Sequence, residues 1–217
     1  GTFAGRAADF GAGAGAAGLA IAARLDRATV VLVEREPAMA DCAARTIRHP
    51  DNAALTNRIS LLVADVGLAG AARREAGLAD RSFDFVVMNP PFNDGRDRSA
   101  PHALRRAAHV APHDLFETWL RSAAAVLVQD GGVALIARPE QMAEILAATA
   151  GRFGGLQIVP VHPSPDQPSI RIVVRGWRGS RARLSMLPPL VLHQSAGGAY
   201  TARAEAIGNG TTGLFAD

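Results

Sequence analysis

The chain of 217 residues is predicted to fold as an α/β domain with a doubly wound, mostly parallel sheet. Short apolar runs alternate with longer amphipathic runs from the first residues to about Gly151, which is the pattern of repeated strand-helix units. A glycine-rich turn also follows the first apolar run, where a strand would pass into a helix. Because no internal repeat or second domain is visible, we expect one domain over residues 1–217.

The predicted strands are short runs rich in branched apolar residues. Five of them fall in the first two thirds of the chain: Arg6–Phe10, Val30–Val33, Ile59–Val63, Phe83–Met88 and Val133–Ala137. Helices between successive strands of one sheet make those strands parallel. Two later runs, Leu156–His162 and Ile170–Arg175, are separated by a proline-rich loop. We expect these two to pair as an antiparallel hairpin at one edge of the sheet.

The predicted helices lie between the strands and are Ala16–Leu25, Pro37–Ile47, Asp114–Val128 and Pro139–Ala150. Pro37 suits the first turn of a helix, and Pro50 closes the second helical region. Asp114 is a suitable N-cap, because Glu117 follows three residues later. The tail beyond Pro188 has no clear periodicity.

The composition limits the partners and the compartment. All 23 basic residues are arginine, and the net charge of +3 permits an acidic partner such as nucleic acid without requiring one. The single Cys42 cannot form an internal disulfide and is expected to be a buried helical thiol. No apolar run could span a bilayer, so we expect a cytoplasmic protein with no membrane partner. No spacing of His, Cys and acidic residues indicates a metal site.

The glycine-rich motif is Asp9-Phe-Gly-Ala-Gly-Ala-Gly15, at the junction of the first strand and the first helix. Gly11, Gly13 and Gly15 would let the backbone approach a ligand and turn sharply into the helix. The spacing differs from the dinucleotide fingerprint, and no Gly-Lys-Ser/Thr follows to make a phosphate-binding loop. Asp9 would repel a phosphate, so the motif favours a cationic ligand or one with hydroxyl and amine donors.

Acidic residues also end the next two strands. Glu34 lies where a carboxylate would bind ribose hydroxyls, and Asp65 lies where one could read the edge of an adenine. We include Arg35 and Val66, which follow these acids, in the candidate cofactor site. An acid after a strand is more often a helix cap, but three such features at successive strand ends indicate an adenosyl site.

The catalytic candidates come from Val86-Val-Met-Asn-Pro-Pro-Phe92, which ends the fourth strand. Pro90 and Pro91 fix the backbone and remove two N–H donors, so the Asn89 side chain and the Pro90 carbonyl would face outward as acceptors. This pair could hold the two N–H groups of an exocyclic amine in line with a methyl donor. Phe92 offers a face on which a base could stack. The alternative is a rigid turn with a buried phenylalanine. We also count Asn89 among the cofactor contacts.

These motifs together resemble those of Rossmann-like class I S-adenosylmethionine-dependent amino-methyltransferases. The resemblance implies a seven-stranded sheet with a C-terminal antiparallel hairpin, S-adenosyl-L-methionine as cofactor, and the Asn-Pro-Pro-aromatic motif as the amine clamp. More narrowly, the chain is similar to bacterial tRNA1(Val) adenine-N6 methyltransferases. This likeness lies in Met88–Asn93, Leu115–Leu120, Ala137–Glu140, Val161–Pro163 and Leu187–His193. It implies methylation of adenine in the anticodon-loop region of tRNA, and a parent protein with a further segment ahead of the first strand.

Basic residues suggest where RNA could bind. No acidic residue occurs between Gln167 and Ala204, and the candidate contacts there are Arg171, Arg175, Trp177 and Arg178. The alternative is a solvated hairpin whose arginines prevent aggregation. The arginine-rich segment Asn93–Pro112 could close over RNA or be only a flexible loop.

The same clamp leaves other acceptors open. A guanine amino group in rRNA, a glutamine amide in a protein, and a catalytically silent cofactor-binding or RNA-binding module remain alternatives. The sequence does not indicate an oligomeric state.

Overall fold

The structure is a computed structural model that describes residues 3–91 and 114–215, and it contains one central β-sheet. Its strands are β1 (Arg6–Phe10), β2 (Thr29–Glu34), β3 (Ile59–Val63), β4 (Phe83–Met88), β5 (Leu127–Ala137), β6 (Phe153–His162), β7 (Arg171–Arg178), β8 (Ser185–Met186) and β9 (Leu190–Val191). The order across the sheet is β3-β2-β1-β4-β5-β7-β6-β8, and β9 also pairs with β6.

The strand directions confirm the predicted doubly wound sheet. Strands β1 to β5 are mutually parallel. Strand β7 is antiparallel to β6, as the predicted hairpin requires, and it also pairs antiparallel with β5, so it lies between the two. The seven predicted strands all form. The described residues add β8 and β9, which have two residues each and are too short to produce a periodicity in the sequence.

The helices of the described residues are α1 (Ala16–Arg24), α2 (Pro37–Arg48), α3 (Gly70–Glu75), α4 (Leu115–Val126), α5 (Met142–Thr149) and α6 (Ala202–Gly208). Short 3-10 helices span Pro50–Arg58 and Pro139–Gln141. The helix predicted over Pro139–Ala150 therefore divides into a 3-10 turn and α5. Helices α3 and α6 and the Pro50–Arg58 turn were not predicted.

One local prediction holds only in part, and another was wrong. Asp114 is the N-cap residue of α4, but its side chain makes no capping hydrogen bond. Glu117 accepts hydrogen bonds of 2.5 and 2.9 Å from Arg152 instead, because a guanidinium from the α5–β6 connection lies within reach. Cys42 is only half-buried, and its sulfur accepts a hydrogen bond from Arg45, one helical turn away.

The core forms on both faces of the sheet. On β1 and β2, Ala8, Phe10, Val31 and Val33 pack against α4 and α5, while Ala7, Val30 and Leu32 pack against α1 and α2. This division follows from the alternation of side chains along a strand. A third cluster joins Val159, Val161 and Leu190 to the C-terminal tail. None of the helices in the described ranges has the length and apolarity to span a membrane.

Candidate active site

The parallel strands bring the sequence motifs to one edge of the sheet. Phe10 pairs with Val33 on one side and with Met88 on the other, and Glu34 pairs with Val63. The residues that follow these positions therefore emerge side by side. The structure thus brings together the glycine loop, Glu34, Asp65 and Asn89, in the crevice where open α/β sheets bind ligands.

The three glycines of the loop have different surroundings. A Cβ on Gly11 would lie 2.5 Å from the Trp119 ring, so an indole occupies that space. A Cβ on Gly15 would lie 2.8 Å from Leu32 and 2.9 Å from Leu19, so this glycine lets the helix pack closely on the strand. Gly13 has φ 55°, and its Cβ would meet only Met39, at 3.5 Å. Gly13 is therefore the most open of the three to a ligand.

Asp9 lies beneath this loop and is 2% exposed. Its Oδ2 accepts a 2.8 Å hydrogen bond from the Gly18 amide in the first turns of α1. The pKa of Asp9 is raised from its ordinary value of 3.8 to about 6, mainly by burial, while the Gly18 hydrogen bond lowers it and the charge of Glu34 raises it. In this structure Asp9 holds the loop and the helix together.

Glu34 is 8% exposed and faces the same loop. Its Oε2 accepts a 2.8 Å hydrogen bond from the Gly13 amide, and its Oε1 accepts one of 2.8 Å from the Glu36 amide. A carboxylate oxygen can accept more than one hydrogen bond, so capacity for ligand hydroxyls remains. The backbone bonds fix the side chain in place, next to the most open glycine.

An open pocket of about 500 Å³ lies at the ends of β2 and β3 and is lined by Arg35, Glu36, Val63, Ala64 and Asp65. Val63 is 58% exposed, which leaves an apolar wall for a flat ring. Asp65 Oδ1 accepts a 2.7 Å hydrogen bond from the Gly67 amide, and Oδ2 lies 3.4 Å from Arg35 Nη1. Both members of this ion pair are exposed, so it contributes little stability.

Val66 lies apart from this pocket. Its side chain is buried in the core beneath α4 and does not line the pocket.

Asn89 directly follows the buried Met88 and is exposed. Pro90 is buried and Pro91 is half-buried, so the backbone on the far side of Asn89 is anchored. Phe92 and the segment Asn93–Pro112 lie outside the described residues. Because Met88 pairs with Phe10, Asn89 lies directly beside the glycine loop.

Helix α4 supplies two contacts that sequence reasoning missed. Trp119 fills the space above Gly11, and the Thr118 methyl lies 3.4 Å from where a Cβ on Gly67 would be. Helix α4 thus contacts both the glycine loop and the turn that follows Asp65. Trp119 is four residues after the buried Leu115, so it falls on the apolar stripe of the helix. No sequence signal distinguishes it from a core residue.

The four RNA-contact candidates are not brought together at the site. Arg175 lies between the rings of Trp177 and Phe215, at 5.1 and 4.2 Å from their centroids, and donates a 2.7 Å hydrogen bond to Gln157. Arg178 donates a 2.9 Å hydrogen bond to the Leu127 carbonyl. Because β7 runs antiparallel to β5, Arg178 lies at the opposite edge of the sheet from Asn89. Of the four candidates, only Arg171 lies near the site, because it is the first residue of β7.

In the described ranges, no group of three or more His, Cys, Asp and Glu side chains is arranged to hold a metal ion.

Comparison with known proteins identifies the family. The family model described as methyltransferase small domain matches residues 2–159. A tRNA1(Val) (adenine(37)-N6)-methyltransferase of Porphyromonas gingivalis is 27% identical over 196 residues, which cover 87% of this chain and 72% of that protein.

Solved structures agree with this assignment. The crystal structure of a predicted O-methyltransferase, protein Atu636 of Agrobacterium tumefaciens, is 43% identical, with a TM-score of 0.85 over 99% of this chain and 93% of that one. A geranyl diphosphate C-methyltransferase of Streptomyces coelicolor, solved with S-adenosyl-L-homocysteine, shares the fold at 14% identity, with a TM-score of 0.57 over 82% of this chain and 76% of that one. The chain therefore belongs to the methyltransferase small domain family and is a Rossmann-like S-adenosylmethionine-dependent methyltransferase.

Proposed function

We propose that this methyltransferase transfers a methyl group to N6 of an adenine in tRNA, in the anticodon-loop region and in the cytoplasm. The observation that carries the proposal is the exposed Asn89, held by Pro90 and Pro91 at the end of β4 beside the glycine loop. Two relatives from strains of Porphyromonas gingivalis, 27% and 26% identical, are named for this reaction, which supports the choice of acceptor.

The residues of the crevice fit an adenosyl cofactor. We propose that Glu34 binds the ribose hydroxyls and that the pocket of Arg35, Val63 and Asp65 receives the adenine. The buried carboxylates of Asp9 and Glu34 make the loop favourable for a sulfonium and an ammonium group. Gly11, Gly13 and Gly15 shape the loop, and Val66 contributes through its backbone alone. Bound S-adenosyl-L-methionine supplies an electrophilic methyl group.

The acceptor amine is held by this chain's own groups. The side-chain oxygen of Asn89 and the carbonyl of Pro90 accept its two N–H bonds, which directs the nitrogen lone pair toward the cofactor loop. The proline rings fix φ, so little conformational entropy is lost when the amine binds. Phe92 stacks on the base, and Pro91 completes the turn. The amine loses its extra proton after transfer, and we assign no general base.

The experiment that tests this function uses radiolabelled S-adenosylmethionine, the protein, and bulk tRNA that lacks the modification. We expect label in N6-methyladenosine after nucleoside chromatography. The Agrobacterium tumefaciens protein of 43% identity is described as a predicted O-methyltransferase, so a methylated hydroxyl is an outcome that must be resolved in the same chromatogram. Label in N2-methylguanosine or a methylated hydroxyl would contradict the proposal, as would label in rRNA or in a protein glutamine when these acceptors are offered in parallel reactions. A tight cofactor complex with no label in any acceptor would indicate a silent binding module.

A further inference from the structure

Two arginines lie side by side at the edge of the sheet that carries Asn89. Arg138 directly follows β5, and Arg171 begins β7. Ala137 pairs with Ile172 in the antiparallel β5–β7 ladder, so the next residue outward on each strand brings Arg138 opposite Arg171. Both side chains are partly exposed. The two residues therefore lie opposite each other, and Arg171 Nη1 donates a 2.7 Å hydrogen bond to the Ile170 carbonyl.

These arginines lie on the same face of the sheet as Asn89. Val87 pairs with Ala134, and Ile136 pairs with Val173, which puts these four residues on one face. Side chains two residues apart on a strand lie on the same face. Residue 89 is two beyond Val87, residue 138 is two beyond Ile136, and residue 171 is two before Val173, so all three lie on that face. Neighbouring strands are about 4.8 Å apart, so β7 lies roughly 10 Å from β4. The arginine pair is thus close to the proposed amine clamp.

The arginine pair is suited to a phosphate. Two positively charged side chains at the same end of the sheet attract an anion. A guanidinium group also matches a phosphate with two parallel hydrogen bonds. A site roughly 10 Å from the clamp is within reach of the phosphate of a neighbouring nucleotide in the same strand.

An exposed aromatic ring lies farther out along the same edge. Val191 on β9 pairs with His162 at the end of β6, and His193 pairs with Tyr200 just beyond. The rings of His193 and Tyr200 are stacked at 4.6 Å with an angle of 23° between their planes, and Tyr200 is 59% exposed. An exposed, pre-oriented tyrosine ring is a surface on which an unpaired base can stack.

We infer that Arg138, Arg171 and Tyr200 form an RNA-docking edge that binds the single strand next to the methylated base. The inference rests on the proposed RNA substrate and specifies how the chain holds it. A phosphate lies between the two arginines, and a base stacks on Tyr200. This edge replaces Arg178 as a proposed RNA contact, because Arg138 and Arg171 lie at the end of the sheet that carries Asn89 and Arg178 lies at the opposite end.

The test is equilibrium binding of fluorescently labelled tRNA, measured by anisotropy at several salt concentrations. The variants are Arg138→Gln, Arg171→Gln and the double variant. Loss of the one shared phosphate contact should lower the slope of log affinity against log salt by about 0.7 in the double variant. Arg183→Gln is the matched control, because Arg183 is exposed and Ala182 beside it bonds to Gly155 near the opposite end of β6. We expect the control to keep the wild-type slope.

Tyr200 is tested separately. Tyr200→Ala should weaken tRNA binding roughly five- to tenfold with an unchanged salt slope, because a stacking contact carries no charge. Tyr200→Phe keeps the ring and should retain most of the affinity. Affinity for S-adenosylmethionine should stay at the wild-type value in every variant, which verifies the fold. Arg171→Gln alone carries the charge test if Arg138→Gln, next to the Pro139–Gln141 turn, lowers the melting temperature.

The outcomes separate this inference from the proposed function. A wild-type salt slope in the double variant, or an equal decrease in Arg183→Gln, would overturn the docking edge. Wild-type protein that does not bind tRNA at all would overturn it as well. Binding that depends on these residues without formation of N6-methyladenosine would refute the proposed reaction and leave the docking edge standing.

Discussion

Asn89 has the combination of exposure and rigidity that an acceptor-binding residue needs. Its side chain faces solvent, whereas the neighbours Met88 and Pro90 are buried. The amide can therefore meet a substrate without any rearrangement of the strand end. A hydrogen-bonding group that is already fixed in position contributes more to a transition state than a mobile one.

We expect Asn89→Ala to lower the rate of methyl transfer about 100-fold or more, while S-adenosylmethionine affinity changes less than about twofold. The reason is that Asn89, although also counted among the candidate cofactor contacts, would act mainly on the acceptor. Single-turnover transfer and calorimetric titration of the cofactor measure the two quantities. A variant that loses cofactor binding in parallel with transfer would refute this assignment.

Asp9 makes stability depend on pH in an unusual direction. Its pKa rises from 3.8 to about 6 on folding, so between these values the folded protein holds a proton that the unfolded chain has lost. The free energy of unfolding therefore falls as pH increases through this window. The decrease is at most about 3 kcal/mol, since one pKa unit corresponds to about 1.4 kcal/mol.

Asp9→Asn should remove this pH dependence, because the amide does not titrate and its oxygen can still accept the Gly18 hydrogen bond. Urea unfolding of both proteins at pH 4, 5, 6 and 7 provides the comparison, in which the other groups cancel. We expect the variant to gain stability relative to wild type as pH rises. Parallel curves would show that Asp9 does not carry the effect.

At the scale of elements, α4 contacts both proposed cofactor loops, which are the glycine loop after β1 and the turn after β3. Trp119 lies against Gly11 and Thr118 lies against Gly67. The helix begins at Leu115, soon after the segment Asn93–Pro112 that follows the proposed amine clamp. It is therefore connected to the clamp along the chain and contacts both proposed cofactor loops. A side chain at residue 11 would displace this helix as well as the loop.

Gly11→Ala should lower the free energy of unfolding by more than Gly151→Ala. Both glycines have positive φ, 68° and 72°, but only at Gly11 would the new Cβ meet another group, the Trp119 ring. The control isolates the backbone strain, about 1–2 kcal/mol. The additional cost should disappear in a Trp119→Leu background, as a double-mutant cycle by urea unfolding would show. Equal costs for the two glycines would contradict the contact.

Sequence patterns were sufficient for elements whose signal is local. Strands β1, β3 and β4 match their predicted bounds, because each is a short run rich in apolar residues between turn or loop residues. The motif residues at the strand ends were also recognisable. Trp119 was not, because its partner Gly11 is distant in sequence, and the position of Arg178 depends on the insertion of β7 between β5 and β6.

At the scale of the whole molecule, the C-terminal tail is tied to the N-terminal half. Arg24, in the last turn of α1, donates hydrogen bonds of 3.1 and 2.9 Å to the carbonyls of Ile207 and Gly208 at the end of α6. A guanidinium at a helix C-terminus satisfies carbonyls that the helix leaves without partners and complements its dipole. Phe215 covers Arg175 on the sheet.

Arg24→Met should lower the free energy of unfolding by about 1–3 kcal/mol, because two charge-assisted hydrogen bonds are lost. Arg27→Met is the matched control, since Arg27 is an exposed arginine just beyond the same helix. Hydrogen exchange should also show faster exchange in Ala202–Gly208 for the Arg24 variant alone. Equal stability of the two variants would mean that the tail is held by its apolar contacts.

The position of β7 also has a consequence for synthesis on the ribosome. Strand β7 is made after β5 and β6 but lies between them. A nascent chain that has not yet released Arg171–Arg178 therefore leaves the facing edges of both older strands without hydrogen-bond partners. Such edges can pair with other chains, so a stalled or prematurely terminated product would aggregate or be bound by chaperones. The sheet can be completed only after Arg171–Arg178 has left the ribosome.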